Sequence, residues 1–325
     1  MNVTDKTAVE AQKRRELGYS EPLPHAGPHE DAQNIIWIAS YPKSGNTWVR
    51  VFVHNLLREL SGSIAPQSIN LLHEYTGWEF AAKPFETALG KPFKEASHRE
   101  LAEARPRAQS SLARSRPGPF LAKTHLCVGR EFEVPTINFD VTLAAVYVVR
   151  NPLDVAISFA HHLGETIDAT IAKMALPNFT TQNRDKHVYE VMGTWSQHVA
   201  GWIGLFSRPV HIVRYEDLLA DPLRGFGKLA KFLRLAPTES QLRSAIEKSS
   251  FTELSRQETE GGFREKPPTA EKFFRAGRSG QWVERLSPAQ VQDVVRAHGP
   301  MMQRFGYLQS DCGASVSLAR FVREI

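Results

Sequence analysis

The run Ile35-Ile36-Trp37-Ile38-Ala39 passes directly into Ser40-Tyr41-Pro42-Lys43-Ser44-Gly45-Asn46. From Thr47 onward, apolar residues recur at Trp48, Val49, Phe52, Val53, Leu56, Leu57 and Leu60. A short, wholly apolar run suits a strand buried on both faces. The recurrence that follows has the period of a helix. A buried strand feeding a helix through a short glycine-bearing loop is the opening of a βαβ unit. It commits the chain to a parallel sheet covered by helices.

The rest of the chain repeats that alternation. A second strand is predicted at Phe120-Leu121-Ala122, ending on Lys123-Thr124-His125. A third covers Val141 to Val149 and ends at Arg150-Asn151-Pro152, with a helix after it through Phe159. A fourth, Val210 to Val213, ends at Arg214-Tyr215-Glu216-Asp217. Asp221-Pro222 reads as an N-cap with proline at the first helical position. Thr238 with Gln241, and Ser287 with Gln290, form capping boxes that open two further helices. The basic, Gly- and Pro-rich stretch from Gly261 to Gly280 reads as a long functional loop, and Arg105 to Pro119 as a loop. With no internal repeat, we expect one domain over 34–308. It is preceded by a flexible arm, 1–33, and followed by a tail, 309–325.

Composition narrows the partners. The 325 residues carry a net charge of +5, an excess that favours an anionic ligand only if it converges on one cleft. There is no long Lys/Arg block and no zinc-finger or homeodomain signature, so nucleic acid is not an expected partner. Two distant cysteines, Cys127 and Cys312, make neither a disulfide framework nor a zinc site, and fit a reducing, cytoplasmic compartment. Met1 to Gly18 has no apolar core of a signal peptide. Val141 to Val149 is too short to span a bilayer. No membrane anchor is expected.

Three strand ends carry candidate chemistry. At the first, Gly45 lets the backbone turn tightly, and the free N–H groups of the following helix point at an anion. Lys43 adds a full charge there, and Ser44 and Thr47 add hydroxyl donors. At the second, Arg150 would meet a phosphate at the carboxyl edge of the sheet, where open α/β folds bind ligands. Ser158 lies about two helical turns further on. At the third, Lys123 and His125 are two apart on an extended segment and so face the same way. Taken singly, each has an ordinary explanation: a strand–helix turn, a common Arg-Asn-Pro exit, a surface histidine.

In order, they resemble one family. Tyr41-Pro42-Lys43-Ser44-Gly45-Asn46-Thr47-Trp48 resembles the 5′-phosphosulfate loop of the cytosolic sulfotransferases, usually Tyr-Pro-Lys-Ser-Gly-Thr-Thr-Trp. Arg150-Asn151-Pro152-Leu153-Asp154-Val155-Ala156-Ile157-Ser158 resembles their 3′-phosphate motif at every fixed position. Phe274-Arg275-Ala276-Gly277-Arg278-Ser279-Gly280-Gln281-Trp282 resembles their distal Arg-Lys-Gly-x-x-Gly-x-Trp. The likeness spans roughly Ile35 to Tyr307. Three departures stand out: Asn46 for threonine, Ala276 for lysine, and Cys127 for the proline of the family's Lys-x-His-x-Pro.

The resemblance implies a P-loop-like three-layer α/β/α fold with a central parallel sheet. It implies 3′-phosphoadenosine 5′-phosphosulfate (PAPS) as co-substrate, the bisphosphate PAP as product, and no metal. Lys43, Ser44, Gly45, Asn46 and Thr47 would hold the 5′ end. Arg150, Ser158, Arg275 and Gly277 would hold the 3′-phosphate, with Asp154 in a structural, capping role. Trp48, Tyr215, Ser250 and Phe251 would frame the adenine, with Ser249 and Leu254 beside them. His125 would be the general base, Lys123 would steady the sulfuryl oxygens, and Ser158 would restrain Lys43.

The acceptor would be a small organic molecule with a hydroxyl. It is served by segments carrying Trp78, Phe80, Phe85, Phe93, His161, His162 and Met174, a lining suited to lipophilic or phenolic alcohols. Monomer and homodimer are both open. Two rivals remain: a nucleotide kinase, which the missing G-x-x-x-x-G-K spacing disfavours, and a non-catalytic sensor of the bisphosphate nucleotide, which has no need of His125.

Overall fold

The computed structural model describes residues 34–308 apart from 65, 66, 117 and 206, so the expected arm, the expected tail and Cys312 lie outside the described residues. In chain order the elements are β1 (Ile35–Ser40), α1 (Asn46–Ser61), β2 (Thr76–Trp78), α2 (Ala82–Leu89), α3 (His98–Ala113), β3 (Phe120–Thr124), β4 (Arg130–Glu131), β5 (Val134–Pro135) and β6 (Thr142–Val149). They continue with α4 (Pro152–Leu163), α5 (Ile167–Met174), α6 (Trp195–Ile203), β7 (Val210–Arg214), α7 (Tyr215–Ala220), α8 (Pro222–Phe232), α9 (Glu239–Glu247), α10 (Phe251–Gly261), α11 (Trp282–Arg285) and α12 (Pro288–Arg304).

Five strands form one sheet in the order β2-β3-β1-β6-β7, every neighbouring pair parallel. Alternation along β1 explains the layers. Ile35, Trp37 and Ala39 face the core built with α4, α5, α6 and α12, while Ile36 and Ile38 face the core built with α1, α8 and α9. This is the expected three-layer α/β/α sandwich. Burying the Trp37 ring requires a partner for its N–H, and Nε1 donates to Thr142 Oγ1 at 2.9 Å. Because the strands are parallel, the ends of β1, β3, β6 and β7 all emerge at one edge, and the strand order reverses around β1 there.

The predicted helix starts hold. Asp221, Thr238 and Ser287 cap α8, α9 and α12, the last two as complete capping boxes. One expectation fails. Arg105 to Ala113, read as loop, is the second half of α3, opened by a Ser97–Glu100 capping box and carrying Pro106 inside the helix. Leu101, Ala104, Ala108 and Leu112 give α3 a buried stripe at helical spacing. Its many Arg and Ser residues mask that stripe in the sequence. The edge strand β2 was not foreseen, because three residues including a glycine carry no period.

α2 and α3 enclose a smaller core with Phe93, Val188 and Tyr189. Within it Arg105 is buried, donating to Glu79 Oε1 at 2.9 Å and to the Tyr189 carbonyl at 2.9 Å, between the rings of Phe85 and Tyr189. Breaking a buried pair from one side strands the other charge. Arg105→Met is therefore expected to cost about 3–5 kcal/mol, read as a lowered midpoint in urea unfolding. An unchanged midpoint would show that Glu79 does not depend on this partner.

Candidate active site

The loop after β1 turns through two left-handed residues, Lys43 at φ 65° and Gly45 at φ 107°. A side chain on Gly45 would also meet the Tyr215 ring at 2.8 Å, so glycine is required for space as well as for conformation. Gly45 caps α1 without any side-chain hydrogen bond, and the first turn has no acidic residue. The leading N–H groups of α1 are therefore left to an external acceptor, with the helix dipole favouring an anion.

Arg150 sits 6% exposed at the end of β6, donating to the carbonyls of Lys43 at 3.2 Å and Arg278 at 2.9 Å. Its guanidinium lies 4.4 Å over the Tyr215 ring, and its buried Nε has no partner. The same side chain thus joins the phosphate loop to the distal glycine loop. Asp154 does the same from α4, accepting from Gly280 N at 2.7 Å and Trp282 N at 3.1 Å. Its capping role falls on the distal loop and not on its own helix. Gly277 (φ 60°) lies so close to Phe251 that a Cβ would come within 2.2 Å of the ring. Glu258 accepts from the amides of Phe273 and Phe274 at 2.7 and 2.9 Å, and Phe273 covers Lys43 Nζ at 4.0 Å. Burial, with the charges of Lys123 and Arg150, brings the Lys43 ammonium down to about 7.

At the end of β3, His125 Nδ1 lies 2.7 Å from the Ser40 carbonyl. A carbonyl only accepts, so the proton is on Nδ1 and Nε2 carries the free lone pair. Burial and then Lys123 hold the imidazole well below its ordinary pKa. The backbone of His125 is pinned at both groups: its N–H donates to Glu190 Oε1 at 2.8 Å, and its carbonyl accepts from His198 Nε2 at 3.0 Å. Lys123 is paired with Glu265 at 3.2 Å, and Glu265 is bidentate to buried Arg50 at 2.6 and 2.8 Å. Burial opposes ionisation of Glu265, but Lys123 and Arg50 outweigh it and hold the carboxyl far below its usual range.

Of these residues, Lys123, His125, Glu190, Glu265 and Phe273 line a single cleft of about 1090 Å³. Lys43, Gly45, Asn46, Thr47 and Trp48 meet there with Arg150, Ser158 and Tyr215. Ser250, Phe251, Leu254, Arg275 and Gly277 close one end, and Lys123 and His125 lie in the same lining. Ser44 does not join them. It is fully buried with an unpartnered Oγ, because the loop turns on either side of it. The Asn46 side chain is also committed, donating to the Ile38 carbonyl at 2.8 Å. Arg275 is turned to Gln281 at 2.8 Å. Ser249 is a core residue bonded to Asn55. Of the expected acceptor residues, Trp78, Phe80 and His162 line the cleft, while Phe85, Phe93 and Met174 are core. Sequence reasoning missed Glu190, Glu258, Glu265 and Phe273. The Phe273-Phe274 pair before Arg275 was a usable signal; the three acids had none.

A sheet-edge loop with bare helical amides, a buried arginine and converging lysines defines a nucleotide-phosphate-binding α/β protein. The sulfotransferase domain model matches residues 33–306, and the chain belongs to the sulfotransferase family. It is 27% identical to sulfotransferase 1A1 of Bos taurus over 80% of each chain. It is 28% identical to cytosolic sulfotransferase 15 of Arabidopsis thaliana over 81% of this chain and 70% of that one. Two solved structures share its fold. One is retinol dehydratase with androsterone and PAP (TM-score 0.58, 20% identity, 91% and 86% covered). The other is mouse sulfotransferase SULT7A1 with PAP (TM-score 0.54, 18% identity, 92% of each).

Two measurements test the donor end. Gly277→Ala forces a side chain into a left-handed site against Phe251, and is expected to weaken PAP binding at least roughly tenfold; unchanged affinity would mean the loop does not close on the ligand. Lys43 must be protonated to hold an anion, so its contribution is complete below its free pKa of about 7 and declines as pH rises through it. PAP affinity should fall between pH 7 and 9, with proton uptake in calorimetry, and Lys43→Met should flatten that fall.

Proposed function

We propose that the chain transfers the sulfuryl group of PAPS to a hydroxyl of a small organic acceptor by in-line displacement. The observation that carries this reading is His125, whose Nδ1–H is spent on Ser40 and whose free Nε2 shares a cleft with the Lys43 loop. A mere nucleotide sensor has no use for an oriented, neutral imidazole.

The donor set fits the nucleotide. The bare amides of α1, the orphan Arg150 Nε and Lys43 suit an anion, and Trp48, Tyr215 and Phe251 offer ring faces and edges for a purine. In the reaction, His125 Nε2 removes the acceptor hydroxyl proton as that oxygen bonds to sulfur. The bond from sulfur to the 5′-phosphate oxygen breaks, and Lys43 stabilises the charge left on that oxygen. Lys123 steadies the equatorial sulfuryl oxygens once it leaves Glu265. As in phosphoryl transfer, position and charge do most of the catalysis. Trp78 and Phe80, stacked at 5.5 Å, form an aromatic wall for the acceptor. No helix among the described residues is long and apolar enough to cross a membrane, and a cytoplasmic setting is part of this proposal.

His125→Ala is expected to lower turnover by roughly 10²–10⁴ while PAP still binds; full activity in that variant would remove the base. Lys43→Ala is expected to lose both PAP affinity and turnover, and retention of either would reassign its role.

A further inference from the structure

The acceptor end of the cleft contains a carboxyl that the transfer mechanism does not use. Glu190 is 7% exposed and lines the cleft. Its Oε1 accepts from His125 N at 2.8 Å, which sets the carboxyl beside the base residue. Its other oxygen has no partner among the described residues and is not sealed from the cleft. Each nearby acid has a cation: Glu79 has Arg105, and Glu265 has Arg50 and Lys123. Glu190 has none within ion-pair distance among the described residues. Burial and the Glu79 carboxylate lift its pKa to about 7, against the opposing pull of Lys123, its His125 hydrogen bond and Arg105.

A buried carboxyl with half its hydrogen-bonding capacity unused is costly unless a ligand completes it. A monofunctional lipophilic alcohol cannot: its one hydroxyl is taken by His125. An acceptor with a second protic group beside the first can. The charge around the site decides which group. Lys43, Lys123, Arg150 and Arg184 line the same cleft and disfavour a cationic acceptor. A neutral hydroxyl donates to the carboxylate and accepts from the carboxylic acid, so it suits Glu190 in either protonation state. Trp78 and Phe80 supply a flat apolar wall alongside.

We infer that Glu190 is the specificity-determining residue for the acceptor, and that the acceptor is a diol or polyol presenting a second hydroxyl next to the one that reacts, on a ring with one apolar face. The inference rests on the sulfuryl-transfer reading. It is tested without turnover, on PAP-loaded protein, by ligand-observed NMR with two matched pairs: cis-cyclohexane-1,2-diol against cyclohexanol, and catechol against phenol. The native protein should bind at least one diol roughly tenfold or more tighter than its mono-ol, as loss of a hydrogen bond to a charged group implies. Glu190→Leu should bring that ratio close to one while PAP affinity is kept. If the leucine variant no longer takes up PAP, Glu190→Gln carries the test. Its amide oxygen can still receive His125 N, and the ratio should fall several-fold. A native ratio near one, a ratio that survives both substitutions, or tighter binding of 2-aminocyclohexanol than of the diol overturns the inference. Native protein that does not bind PAP at all sinks the sulfuryl-transfer reading, and this inference with it.

Discussion

Arg150 donates to carbonyls of two segments, Lys43 and Arg278, that lie more than a hundred residues away on either side, and it stacks on a ring from a third, Tyr215. None of these contacts cancels its charge. The same holds for Lys43, which has an aromatic ring over it instead of a carboxylate. Nearby acids are present but spent elsewhere: Asp154 on the amides of Gly280 and Trp282, Glu258 on those of Phe273 and Phe274. Acids thus shape the loops while leaving the cations undischarged. In a poorly solvated cleft such charge is a standing cost, and a doubly phosphorylated nucleotide is the kind of ligand that relieves it. The depressed pKa of Lys43 is the same cost seen from the proton's side.

The acceptor end is arranged oppositely. There Lys123 is held by Glu265, which Arg50 in turn fixes with two hydrogen bonds. A cation already satisfied attracts an anion less strongly than one without a carboxylate partner, as at Lys43 and Arg150. Glu265 and the loop that covers Lys43 belong to one stretch, 262–281, so both ends of the cleft are trimmed by the same segment.

What the sequence disclosed follows from locality. Strand ends, capping boxes and the three glycine- or arginine-bearing loops are written in contiguous residues, and Ser287, Gln290 and Pro288 predict α12 without reference to anything distant. Helix α3 was hidden because its outward face is rich in Arg and Ser, and a proline interrupts it; only its burial against Phe85 and Val188 makes it a helix of the core. The partners of Asp154, the pairing of Lys123 with Glu265 and the place of Glu190 depend on contacts across 65 to 142 residues. No local pattern encodes these. Ser44 shows the converse: a motif can match by letter while the side chain turns into the protein.

The proton affinity of His125 depends on what else the cleft holds. His125 is half-buried beside Lys123, and charging it would place a second cation there against the cost of desolvation, which is why its pKa lies well below the ordinary value. That keeps Nε2 open. An imidazole so weakly basic takes a proton poorly, yet an anion in the cleft would change its surroundings. Negative charge brought into the cleft would favour an imidazolium that Lys123 and burial disfavour. The orientation needs no such help. Ser40 fixes the tautomer, Glu190 and His198 fix the backbone, and His198 is itself held through Nδ1 by the Tyr147 hydroxyl at 2.9 Å, in the core of the sheet. The geometry of the imidazole is therefore set by folding, while its proton affinity responds to charge in the cleft, and the two can be perturbed separately.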